Sequence, residues 1–138
     1  MIRRTLRQLA VVLCLALLPA IVSGALQLRW HSQEPLAPDE VDAATARAWG
    51  DRVHWVDARA RAKFERGHVP GALLLNEDEW NALIAPFLDA WDPDKTIVVY
   101  CDGGSCEASR KVAERIREDL KIGHVHVLKG GWGAWQKK

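Results

Sequence analysis

Cysteine is scarce in this chain of 138 residues: Cys14, Cys101 and Cys106 are the full set. Three thiols, unevenly placed, cannot form a disulfide framework. The histidines nearest the cysteine pair, His124 and His126, alternate along a run that reads as a strand, so no four-ligand zinc spacing emerges and no metal is expected. An excess of either charge is missing as well, with 19 lysines and arginines against 18 acids. Three of the bases, Arg3, Arg4 and Arg7, stand at the very start, and without them 16 bases face 18 acids, a balance of about −2. That is not the basic footprint of a nucleic-acid binder, so DNA and RNA are not expected partners. No internal repeat or low-complexity tract is found. What the chain does have is a hydrophobic content of 49%, enough for one packed domain plus an appendage.

The appendage is residues 1–30. Its basic start is followed by a run without charge from residue 9 to residue 28, interrupted in character only by Pro19 and Gln27. As a helix rising 1.5 Å per residue, such a run is about 30 Å long, the thickness of a bilayer core. Two readings follow. A signal peptide would use residues 9–18 as its apolar stretch, end at Pro19 and offer the small residues Ser23, Gly24 and Ala25 for cleavage. An uncleaved transmembrane anchor would use the whole run and set Trp30 at the interface. The length favours the anchor. In a bacterium, either reading sends the remainder across the inner membrane, to face the periplasm from the anchor or to be released there after cleavage. Cys14 follows Leu13 rather than a small residue, which makes it a lipid-facing side chain and not a lipoprotein cysteine.

Residues 31–38 carry two prolines and no periodicity, and read as a linker. From residue 39 to residue 138 a single domain is expected. It opens with a helix over 39–49 capped by Asp39 and stopped by Gly50. Strand-like runs follow at 52–59, 72–76, 96–101 and 124–130. Helical stretches lie at 79–91, broken near Pro86, and at 107–120, where Ala108, Val112, Ile116 and Leu120 form one apolar stripe. Strands separated by helices of this size imply an α/β fold, a small parallel sheet flanked by helices.

In such sheets, ligands bind beyond the carboxyl ends of the strands. The run "TIVVYC" is apolar on both faces and delivers Cys101 to that edge. The loop Asp102, Gly103, Gly104, Ser105, Cys106, Glu107 then turns from strand to helix, and its two glycines permit positive φ. Successive backbone N–H groups in a turn of this kind form an anion cradle, and the following helix adds the positive end of its dipole. Both favour a thiolate, the reactive form of cysteine. A sulfur held this way can accept a transferred sulfur atom as a persulfide and pass it on, with no cofactor. An inert cysteine at the end of a buried strand remains the alternative.

Four ordered blocks between residues 53 and 135 resemble the rhodanese-like sulfurtransferase family: "WVDAR", "FERGHVPGAL", "IVVYC" and "VLKGGWGAW". The resemblance implies that Cys101 is the persulfide-forming nucleophile and that the loop through Glu107 surrounds the substrate. The implied partners are a small sulfur donor and a thiophilic acceptor. Asp57 and Arg59 are expected to stabilise the strand end, His68, Pro70 and Gly71 to fix a turn, Gly130 and Gly131 to allow a tight strand-to-helix turn, and Trp132 and Trp135 to pack.

The chain departs from the family in its loop. Many single-domain members follow the cysteine with a pattern resembling Cys-x-x-Gly-x-Arg-Ser. Here Gly104 fits, but Cys106 takes the arginine position and Glu107 the serine position. A carboxylate there would repel thiosulfate. Rhodanese-fold phosphatases use Cys-x5-Arg, and that arginine slot also holds Glu107, which argues against phosphoryl chemistry. Cys106 admits a further reading, a thiol–disulfide switch with Cys101. A catalytically silent, membrane-tethered binding module is the remaining alternative. Oligomeric state is not legible.

Overall fold

The run Thr96–Tyr100 is the middle strand of a five-stranded sheet, and its apolar character on both faces explains the layers around it. The computed structural model describes residues 35–104 and 107–137. In chain order the elements are β1 (Glu40–Val41), α1 (Ala43–Ala48), a 3-10 turn (Gly50–Arg52), β2 (Val53–Asp57), α2 (Arg61–Arg66), β3 (Leu73–Leu74), α3 (Trp80–Ala90), β4 (Thr96–Tyr100), α4 (Glu107–Asp119), β5 (Val125–Leu128) and α5 (Gly131–Gln136). The strands lie in the order β1-β5-β4-β2-β3 and every pair is parallel. Val98 of β4 stands between Trp55 of β2 and His126 of β5.

Alternation along β4 divides the core. Ile97 and Val99, with Cys101 beyond them, pack with Phe87 of α3 and Val112 and Ile116 of α4. Val98 and Tyr100 face the opposite layer, where Ala46 of α1, Phe64 of α2 and Trp132 and Trp135 of α5 lie. Both faces are covered, as parallel strands require. Each fully buried valine or isoleucine of this strand contributes roughly 1.5–3 kcal/mol relative to exposure. The parallel α/β sheet read from the sequence is therefore the observed fold.

Three expectations change. The helix expected to begin at Asp39 starts later: Glu40–Val41 forms an edge strand paired with Val127 and Leu128. Asp42 is the true N-cap, its carboxylate accepting the Thr45 N–H at 2.9 Å. The break expected near Pro86 does not occur, since α3 runs through it. Pro86 is exposed, so the carbonyl that loses its helical donor lies on the solvent side, where water can substitute. Finally, the buried face of α4 is made of Ser109, Val112, Ala113 and Ile116, while Ala108 is exposed.

The compact unit containing the sheet begins at Leu36. The expected apolar N-terminal helix, Cys14 and most of the expected linker lie outside the described residues. No helix among the described residues is long and apolar enough to cross a membrane.

Candidate active site

Strand β4 hands over to the loop at Cys101, and backbone contacts from both sides hold that point. The Tyr100 carbonyl accepts the Ala58 N–H at 2.8 Å, which ties the strand end to β2. The Cys101 carbonyl accepts the Trp132 N–H at 2.6 Å, which ties the next residue to the first turn of α5. Gly131 makes this approach possible. Its φ is +53°, and a Cβ there would sit 2.3 Å from the Cys101 oxygen. On the other side of the contact, Gly103 has φ +129°, and a Cβ on it would lie 3.0 Å from the Gly130 oxygen. Two glycine turns thus meet at the cysteine. The sequence reading assigned Gly130 and Gly131 to turn geometry alone; clearance of the Cys101 carbonyl is the additional requirement.

Cys101 is buried, with 6% of its surface exposed, and belongs to the apolar layer of α3 and α4. Its Sγ lies 4.0 Å from the carbonyl oxygen of Gly103. Asp102 follows it and is half exposed. Gly104 closes the described part of the loop with φ +72° and open space about it. Ser105 and Cys106 lie outside the described residues, and with them two of the amides expected in the cradle and the pairing of Cys106 with Cys101. Glu107 begins α4, is 74% exposed at its side chain, and its carboxylate stands 3.2 Å from Lys111 Nζ one turn on. The charge read from the sequence as facing the substrate is therefore balanced along its own helix.

A buried ion pair braces the neighbouring strand end. Arg59 donates from Nε to Asp57 Oδ1 at 2.9 Å and from Nη2 to Oδ2 at 2.6 Å, and Nη2 also reaches the Gly67 carbonyl at 2.7 Å. The Arg59 guanidinium lies 4.7 Å from the centroid of Trp132 and 5.5 Å from that of Tyr100. Burial disfavours the Arg59 cation, but the hydrogen bonds and charge of Asp57 outweigh it and hold its pKa above the ordinary value. The Tyr100 hydroxyl accepts the Val69 N–H at 3.0 Å, and burial pushes its pKa well above the ordinary phenol range. This bond anchors the turn at residues 68–71 to the middle strand.

Beside the loop opens a cleft of about 300 Å³ whose wall includes Arg59, Lys63, Arg66, Asp102, Trp132 and Gln136. Lys63 and Arg66 are three apart on α2 and so share a face. Lys63 Nζ lies 2.5 Å from Asp102 Oδ2, and Arg59 Nη1 lies 3.9 Å from Asp102 Oδ1. Sequence reasoning named Asp102 only as a loop member and missed Lys63, Arg66 and Gln136. The spacing of two cations on one face of the helix after the Asp-x-Arg strand was the available signal. Their meeting with a loop 39 positions away was not.

An open parallel sheet that presents a cysteine at the carboxyl edge of its middle strand, against a glycine turn from the next crossover, defines a class of α/β protein whose chemistry sits at that edge. The chain belongs to the rhodanese-like domain family, whose model matches residues 40–138. Among its relatives is the thiosulfate sulfurtransferase GlpE of Shewanella oneidensis, 33% identical over 87 residues that make up 62% of this chain and 77% of that protein. A solved structure of a protein from Bacillus halodurans is similar with a TM-score of 0.61 at 21% identity, covering 83% of this chain and 81% of that one. The structure of SseA from Escherichia coli, a 3-mercaptopyruvate sulfotransferase, is similar with a TM-score of 0.61 at 18% identity, covering 73% of this chain and 48% of that one. These two likenesses show the fold.

Proposed function

We propose that this protein is a sulfurtransferase in which Cys101 carries the transferred atom. The Cys101 thiolate attacks the outer sulfur of a donor; a bond from Sγ to that sulfur forms, the donor's own bond to it breaks, and the donor remnant leaves with the electron pair. An acceptor nucleophile then attacks the outer sulfur of the persulfide, the bond to Sγ breaks, and the thiolate returns. Both steps are displacements at sulfur, so the chemistry calls for nucleophile and leaving-group stabilisation only. Support comes from the placement of Cys101: the Trp132 N–H grips its carbonyl, and the 13-residue helix α4 begins just beyond the loop, adding positive dipole potential at its start. The name of the Shewanella relative points to the same class of reaction.

Mass spectrometry tests this reading. Incubated with a sulfane-sulfur donor, the protein should gain one sulfur atom at Cys101, and Cys101→Ser should gain none. The low exposure of Cys101 favours a second reading, a silent binding module. Absence of any sulfur adduct with several donors would sink the enzyme and favour that reading.

The uncharged run over residues 9–28 behind three arginines supports a location at a bacterial inner membrane with the domain in the periplasm. N-terminal sequencing of the protein from membrane and soluble fractions tests it. Recovery from the membrane with the intact start supports the anchor, and a soluble form beginning near residue 26 supports a cleaved signal.

A further inference from the structure

Resting on the sulfurtransferase reading, we infer that Asp102 selects the donor: its carboxylate occupies the cationic wall of the cleft, so that donors carrying a sulfonate group are disfavoured and alkyl persulfides without a second anionic group are taken.

Three cations reach the cleft, and two are already committed. Arg59 is held by Asp57 on its inner side and turns Nη1 toward Asp102 at 3.9 Å. Lys63 gives its ammonium to the same carboxylate at 2.5 Å. The Asp102 side chain is about half exposed, at 51%, so the pair sits at the rim and not in the core, where a diffusing anion meets it. An anionic donor seeking Lys63 must displace a carboxylate held on the adjoining loop, which competes at the high effective concentration of an intramolecular partner. Once displaced, that carboxylate remains nearby as a like charge. Cys101 is not part of the cleft wall, but Asp102, the next residue, is, so this contest takes place beside the loop that starts at the proposed nucleophile.

Glu107, the carboxylate that the loop pattern singles out, is turned away to Lys111 and does not line the cleft. Discrimination therefore falls to Asp102. The favoured step balances as a thiolate and an alkyl persulfide giving the Cys101 persulfide anion and a thiol. The new bond joins Sγ to the outer sulfur, the old sulfur–sulfur bond breaks with its electron pair going to the inner sulfur, and the donor's proton passes from the transferred sulfur to that departing thiolate, which leaves as the thiol.

Binding and turnover test separate parts of this. In a Cys101→Ser background, where no transfer occurs, calorimetry with thiosulfate should show Asp102→Asn binding about fivefold or more tighter than the parent. The gain should shrink when Lys63→Met is added, leaving only the part due to Arg59, and shrink as salt rises. With Cys101 present, Asp102→Asn should lower KM for thiosulfate and leave KM for the persulfide of 2-mercaptoethanol within about twofold. Equal or weaker thiosulfate binding by Asp102→Asn, or a gain undiminished by Lys63→Met, overturns the assignment. A merely structural role would shift both donors together and lower the unfolding temperature; Asp102→Ser, read the same way, guards against a local effect of the amide. If the binding gain appears but no variant ever forms a persulfide, the assignment of Asp102 stands and the sulfurtransferase reading falls.

Discussion

The main-chain N–H of Trp132 and the carbonyl of Cys101 are joined at 2.6 Å, across 31 residues of chain, and Gly131 is the residue that lets them meet. A side chain there would need the space the Cys101 oxygen occupies, at a backbone angle that L residues rarely adopt. The closeness of the two turns thus follows from the absence of one carbon atom, and it fixes where β4 releases the loop. Each side of the contact has its own consequence.

Gly131→Ala should destabilise the protein by at least about 2 kcal/mol, because left-handed strain adds to a contact that can be relieved only by moving backbone. Gly104→Ala is the control, since its φ is also positive at +72° but its surroundings are open. It should cost about 1 kcal/mol. Denaturant midpoints at constant slope measure both, and a Gly131→Ala cost no greater than that of Gly104→Ala would show that the close approach is not what the glycine serves.

Asp57→Ala strands the Arg59 guanidinium in a setting where its residue is only 5% exposed. Loss of one member of a buried pair typically costs about 3–5 kcal/mol. Replacing both, as Asp57→Leu with Arg59→Met, should cost clearly less than Asp57→Ala alone, because no unpaired charge remains. Urea unfolding of the three proteins decides it. A double variant as unstable as the single one would mean that the stranded guanidinium charge is not what makes Asp57→Ala costly.

Much of this was legible beforehand, for a reason visible in particular residues. Val53–Asp57, Thr96–Tyr100 and Val125–Leu128 are interior strands, and their burial writes runs dominated by Val, Ile, Trp and Leu, continuous in Thr96–Tyr100 and broken only by His54 and Asp57 and by His126 in the other two. Glu40–Val41 is an edge strand of two residues, and its only reason to be extended is a partner 87 positions away, so local pattern gave a helix instead. Pro86 misled in the opposite direction: its penalty depends on whether the orphaned carbonyl meets water, which is a property of the fold. The cleft was hidden likewise. Lys63 and Asp102 look like unrelated surface charges until the topology lays α2 beside the loop.

The shift of the helix start from Asp39 to Asp42 has a measurable side. Asp42 accepts from the Thr45 N–H at 2.9 Å and from the Thr45 hydroxyl at 2.8 Å, while Asp39 is bonded from Arg117 at 3.2 Å. Asp42→Ala should therefore cost about 1 kcal/mol, the usual value of an N-cap. Asp39→Ala, which loses a part-exposed ion pair, should cost about half that or less. Thermal unfolding of the two variants compares them directly, and the reverse order would return the cap to Asp39.

Acid should weaken the fold first through His54. This residue lies on β2 with its ring edge-on to Phe87 at 5.9 Å, and its Nε2 is buried without a hydrogen-bond partner among the described residues. Burial, then the nearby Lys95 charge, hold its pKa below the ordinary 6.5, with Asp92 acting in the other direction. In the unfolded chain the imidazole takes up its proton near the ordinary value, whereas in the folded chain it does so only at lower pH. Between those two values the unfolded state binds more protons, so stability falls as pH drops below about 6.5 and levels off once the folded group also titrates. His54→Gln removes the titration while keeping a polar side chain, and its stability should stay flat across that window. Glu40 and Asp42, both held below ordinary carboxylate values, chiefly by backbone N–H groups, add a further loss at more acid pH in parent and variant alike. Denaturant midpoints measured at intervals from pH 7.5 to about 4 separate the two phases, and a parent curve that tracks the His54→Gln curve above pH 5 would assign the first loss to another group.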